Sequence, residues 1–383
     1  MPLAPPRTGE RLRINNKLIP FSFWPTKTGP KGNASLQTLL FSLDPWAIID
    51  QTIKTICPAA ARPEALACTY QARDFYESAI DAQRVSARPL ALYYCFMNLV
   101  KAFCLTRGTQ ATFDKAQHGL SEMLRPPSNK ELADAFLRSF TSPNAQGQLQ
   151  NFSEFMRALS GTGLAATQDF DVPALLPQIL PGHRLWSSAA NKKERFVAVH
   201  DIRAFLNKPT RELWLNLYFI SDDLSRINVT VQKFLADSQL QTSFTQVACT
   251  EKDSSDRALI CFQQVAPIVC PSTKYANSLQ QLFDSLRLLL WATVATIPPY
   301  RRHYVYLRPA NEATQTLPQL LSVYALAYYL GSITRYRPHH LPTITDSAYG
   351  PRVQDFITGQ PQQFLYLLAS EFAKREIAKP SIL

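Results

Sequence analysis

Residues 84–107, RVSARPLALYYCFMNLVKAFCLTR, run for about five helical turns after Pro89 with no further Gly or Pro. Leu90, Tyr93, Tyr94, Met97, Val100, Lys101 and Cys104 recur at steps of three and four, and Leu92, Phe96, Leu99 and Phe103 fill the neighbouring stripe. Apolar side chains over most of the circumference predict a helix buried on several sides, not a surface helix. Pro89 suits a first turn, where its missing N–H has no helical partner, and Gly108 suits a stop. Asn98 and Lys101 are the only strongly polar residues between positions 90 and 103, and each needs a partner if it is buried.

A core this apolar needs a chain able to surround it. The 383 residues suffice for two or three domains, and a hydrophobic share of 46% excludes global disorder. The net charge of +11 favours an anionic partner such as nucleic acid, a nucleotide or an acidic protein. Seven cysteines (Cys57, Cys68, Cys95, Cys104, Cys249, Cys261 and Cys270) form no CxxC pair, which suits a reducing cytosol. The opening MPLAPPRTGERLR lacks the apolar run of a signal peptide. The longest uncharged stretch, residues 317–334, contains three tyrosines and Gly331 and reads as a buried helix, so a cytoplasmic protein with no membrane span is expected.

Residues 1–34 show no sustained period and read as an extended arm. Helices are expected over 35–56 in two pieces, 63–84, 114–124, 129–140 and 151–159, making 35–165 an N-terminal helical region. Prolines 173, 177 and 181 punctuate a connector. RFVAVH, ELWLNLYFIS, SFTQVAC and RALICFQQV then alternate as strands do, around a helix at 222–236 capped by Ser221. Residues 166–271 thus read as connector plus a small inserted α+β unit. Helices return at 278–296 and 320–334, an extended YRRHYVYLRP lies between them, and two helices are expected over 350–379. Residues 272–383 form a C-terminal helical region packing on the N-terminal one. The expected fold is mainly α, a helical bundle with the inserted unit.

Chemistry concentrates late in the chain. Between positions 286 and 345, six arginines (Arg287, Arg301, Arg302, Arg308, Arg335, Arg337) accompany one acid, Glu312, with tyrosines 300, 304, 306 and 336 interleaved. Arginine forks and tyrosine faces suit phosphate and base binding, so Arg301, Arg302, His303, Arg308, Arg337 and His118 are candidate nucleic-acid contacts. A solvated basic rim is the plainer alternative. Arg335 and His340 match R-x4-H at a helix end, with His339 adjacent. That spacing occurs in HEPN ribonucleases, where arginine and histidine cleave RNA without a metal, though Tyr336 stands where those motifs carry a small polar residue. A second match, Arg195–His200, lies in a strand-like stretch and receives no role. No P-loop, HExxH, paired-cysteine or GxSxG pattern is present, and no cofactor or metal is expected. Asp222-Asp223 suits the start of a helix better than a metal pair.

YQARDFYESAI (70–80), RPLALYYCFMNLVKAF (88–103) with HGL at 118–120, and YLGSITRYRP (329–338) together resemble the bacterial YaaC-like family. The resemblance implies a mostly helical fold and little specific chemistry. His339 and His340 stand where the family commonly carries an aromatic residue after its RYxP element. The leading expectation is a HEPN-like protein acting on nucleic acid, RNA before DNA, as an RNase effector in bacterial defence. Arg335, His340 and His339 would be its catalytic residues, in a homodimer or hetero-complex. The alternative is a non-enzymatic adaptor that docks nucleic acid or protein.

Overall fold

The central helix forms as Arg88–Thr106, with Pro89 in its first turn. In the computed structural model, which describes residues 3–28, 34–271, 275–309 and 316–381, its Leu92, Cys95, Phe96, Leu99, Val100 and Phe103 are almost wholly buried. Asn98 finds its partner: its Nδ2 donates to Gln71 Oε1 at 2.8 Å. The helices Arg62–Asp81, Asn151–Ser160, Gln319–Tyr336 and Gly350–Ala373 pack around it. Phe96 stacks on Phe364 with ring centroids 4.0 Å apart. Gly331 permits close approach of Gln319–Tyr336, since a Cβ there would stand 2.9 Å from Tyr93 Cβ. The stretch Val85–Thr106 is long and apolar enough to cross a membrane, and most of it is buried inside its own unit.

The chain divides into two compact units. The helical hub belongs to Ser42–Glu194 with Glu312–Ala373, called here the hub unit. The sheet unit comprises Met1–Phe41, Arg195–Asn311 and Lys374–Leu383. Its main sheet is antiparallel in the order Glu10–Arg11, Asp201–Asn207, Glu212–Ile220, Leu259–Gln264, Phe244–Val247, with Ile268–Val269 also pairing to Glu212–Ile220. The middle strand, ELWLNLYFI, is buried along nearly its whole length, as its run of large apolar residues dictates. Phe219, Phe234, Phe262, Leu279, Leu282 and Phe283 share one core. A second sheet runs Phe196–Ala198, Arg301–Tyr306, Leu290–Val294.

The expectation of a mainly α helical bundle is overturned. The molecule is 42% helical and 21% strand, a mixed α/β fold with several small sheets. Residues 114–124 and 129–140 are not helices. They hold the strands Leu120–Leu124 and Ala135–Ser139, which with Gln168–Asp171 make a three-stranded antiparallel sheet in the hub unit. Short amphipathic segments fit either period, and pairing with a distant strand decides between them. The helix expected over 278–296 stops at Asp284, and the apolar run that follows becomes the strand Leu290–Val294. The helix at 222–236 is two short ones, Ser221–Arg226 and Val231–Asp237, the second capped by Thr230. In 35–56 only Pro45–Ile56 is helical, because Asp44 caps it through Trp46 and Ala47 N–H groups. The two helices expected at the end are one, Gly350–Ala373.

Candidate functional site

Five predicted site residues, His118, Arg335, Arg337, His339 and His340, fall in the hub unit. Helix Arg88–Thr106 contributes Tyr93 and Tyr94, and helix Gln319–Tyr336 contributes Tyr328, Tyr329 and Arg335. Gly119, at φ +78°, turns the chain directly after His118 into the strand Leu120–Leu124, which carries Glu122. A Cβ at Gly119 would also meet the Phe152 nitrogen at 2.8 Å, so the turn requires glycine on both counts.

His118 Nδ1 lies 2.6 Å from the Tyr93 hydroxyl, and Tyr93 and Tyr328 flank its ring. Burial pushes the Tyr93 phenol well above its ordinary value, so it stays protonated. The Tyr324 hydroxyl is buried and has no hydrogen-bond partner among the described residues. A Tyr93 hydroxyl that accepts from His118 Nδ1–H leaves the Nε2 lone pair available. Burial, then the charges of Arg335 and Lys101, hold the His118 imidazole below its ordinary pKa, so it is neutral near pH 7. Arg335 is exposed, donates from Nη1 to the Tyr94 hydroxyl at 2.6 Å, and lies over the Tyr336 ring. Among the described residues it has no carboxylate partner.

Beside this pair sits a knot of carboxylates. Arg337 contacts Glu122 Oε2 and lies 3.4 Å from Glu131 Oε1. His340 Nδ1 is 2.8 Å from the same Glu131 oxygen, and the Tyr329 hydroxyl donates to Glu131 Oε2 at 3.0 Å. Burial raises the pKa of Glu122, an effect that Arg337 opposes. His339 is exposed, its ring edge-on to His340 at 4.2 Å. Arg335 and His340, matched by spacing, therefore take different partners. His118 feels the Arg335 charge. Glu122 and Glu131 are not legible as site residues, because 114–124 and 129–140 read as helices and only strand pairing brings Glu122 to Arg337. The HG step at 118–119 was the available signal for His118.

The remaining candidates fall in the sheet unit. Arg301 donates from Nε and Nη2 to the Ile377 carbonyl. His303 is buried edge-on between Phe21 and Phe23, and burial draws its pKa down to about 3. Arg302 is exposed, and Arg308 is half-buried with its backbone N–H on Asp237. The structure thus gathers the predicted residues into two groups, one in each unit.

A family model described as YaaC-like Protein matches residues 41–372. The chain belongs to the YaaC-like family. The YaaC-like match takes in the whole His118–Arg335 cluster and the carboxylate knot, and it excludes the first strands of the sheet unit. No curated protein and no solved structure matches the chain. All seven cysteines are free thiols.

Proposed function

We propose that the hub unit carries an acid–base site that binds and cleaves RNA. One observation carries the reading: a neutral His118, anchored through Nδ1 and open at Nε2, lies within the field of an exposed Arg335 that has no acid to neutralise it. An uncommitted guanidinium beside a neutral imidazole suits a phosphodiester. His118 Nε2 takes the proton of the ribose 2′-hydroxyl as that oxygen attacks phosphorus. Arg335 stabilises the charge that grows on the phosphoryl oxygens. The bond from phosphorus to the 5′-oxygen breaks, that oxygen takes a proton from water, and a 2′,3′-cyclic phosphate remains. The same metal-free chemistry occurs in HEPN nucleases. The free thiols support a place in the reducing cytosol.

The test is cleavage of a mixed set of RNAs in EDTA. Wild-type protein should cut RNA and spare DNA, and Arg335→Ala and His118→Ala should each remove activity with the far-UV spectrum unchanged. RNA left intact by wild-type protein, or cut equally by both variants, contradicts the reading. A second reading, a non-enzymatic adaptor that docks nucleic acid, is favoured by the exposed Arg335 over the Tyr336 ring, a cation and an aromatic face that need no base to act, although the carboxylate knot takes Arg337 out of such a surface. It predicts RNA binding that persists without cleavage.

A further inference from the structure

The sheet unit contains a cavity of about 1360 Å³ that the RNA-cleavage reading does not use. Its size exceeds what a water cluster or a single ion needs and suits a drug-sized molecule. Its wall combines apolar and aromatic surface, Phe21, Trp24 and Tyr300, with ionic groups. Phe21 and Tyr300 are only half-buried, so part of each ring remains available.

The charges lining the cavity do not cancel evenly. Asp201 is held by Arg203 at 2.6 Å, and Asp253 by Arg257. Asp223 lies in the field of Arg257 as well. Lys17 and Arg302 are both exposed, and among the described residues neither meets an acid. With the two ion pairs set aside, Lys17, Arg301 and Arg302 stand against Asp223 and Glu376, which leaves the lining positive by one charge and favours an anion. Two buried polar groups also belong to the lining. Glu376 is 8% exposed, and its Oε1 has no hydrogen-bond partner. His303 Nε2, 3.8 Å from that oxygen, also has none. The separation is too long for a bond between the two, and both atoms are closed to solvent, so they back the cavity wall and do not meet a ligand.

We infer that this cavity binds a free nucleoside phosphate, its phosphate taken by Lys17 and Arg302 and its base laid against Phe21. Each part of the ligand answers a separate feature: the anion answers the unpaired cations and the flat ring the aromatic wall. The inference is independent of RNA cleavage, because every residue in it belongs to the sheet unit.

Isothermal titration of the full chain with AMP, GMP, adenosine and inorganic phosphate tests it. A mononucleotide should bind saturably at one site, with adenosine and phosphate alone each at least ~tenfold weaker, because each supplies only part of the contact. Lys17→Glu combined with Arg302→Glu, both on the surface, should weaken that binding at least ~tenfold and leave the melting temperature in place. No saturable binding of any mononucleotide at millimolar concentration overturns the inference. So does binding that the double variant leaves unchanged. A 5′-phosphorylated oligonucleotide that binds more tightly than the mononucleotide places the ligand on a strand end and overturns the free-nucleotide assignment.

Discussion

Burial lowers the pKa of both His118 and His303, but the two imidazoles differ in what touches them. His118 keeps one nitrogen on Tyr93 and one open, whereas His303 is enclosed by Phe21 and Phe23. Tyr93 is a positioning residue in this account. Tyr93→Phe should lower the single-turnover cleavage rate by roughly tenfold while leaving KM unchanged, because the ring stays and only the Nδ1 anchor is lost. A change in KM alone would argue that Tyr93 contacts RNA instead. For His303 the linkage to stability has a definite sign. The unfolded chain takes up a proton near pH 6.5 that folded His303 refuses until about pH 3, so its stabilisation is present above about pH 6.5 and is lost as pH falls toward 3. Glu376 acts in the opposite sense, since its raised carboxyl binds a proton earlier when folded. His303→Phe, which keeps a ring among Phe21 and Phe23, should flatten the fall in melting temperature between about pH 6.5 and pH 4. An unaltered profile would assign the acid sensitivity to other groups.

The elements that could be read from sequence are those whose burial pattern is local. Arg88–Thr106 and Gln319–Tyr336 are long and apolar on most sides, so no strand competes with them. Leu120–Leu124, Ala135–Ser139 and Leu290–Val294 are each five residues and owe their form to partners that sequence spacing does not reveal. The site divides the same way. Arg335 at a helix end stood out, but its hydroxyl partner Tyr94 and its histidine neighbour His118 are brought to it only by packing of the two long helices and the strand after Gly119. Gly331→Ala tests that packing. The added methyl meets Tyr93 Cβ, so the variant should lose about 1–3 kcal/mol in a denaturant melt and slow cleavage through displaced Tyr93. A variant as stable as wild type would mean that the helices can part at no cost.

At the scale of the whole molecule, the net charge of +11 lies entirely in the sheet unit, which has 22 basic and 11 acidic residues, while the hub unit balances 18 against 18. Any anion site in the hub unit therefore depends on local placement of Arg335 and not on the overall field. The seven cysteines should all react under denaturing conditions without reductant, and fewer than seven reactive thiols in fresh protein would contradict a cytosolic setting. In the proposed reaction, neutral His118 takes a proton from RNA beside Arg335, and the measurement closest to that step is the pH dependence of kcat/KM for RNA cleavage in EDTA. The rate should fall as pH drops through the His118 pKa, with a midpoint below the ordinary imidazole value of about 6.5, and His118→Ala should abolish it. A rate that stays flat down to pH 4, or a profile that His118→Ala leaves intact, would contradict the account.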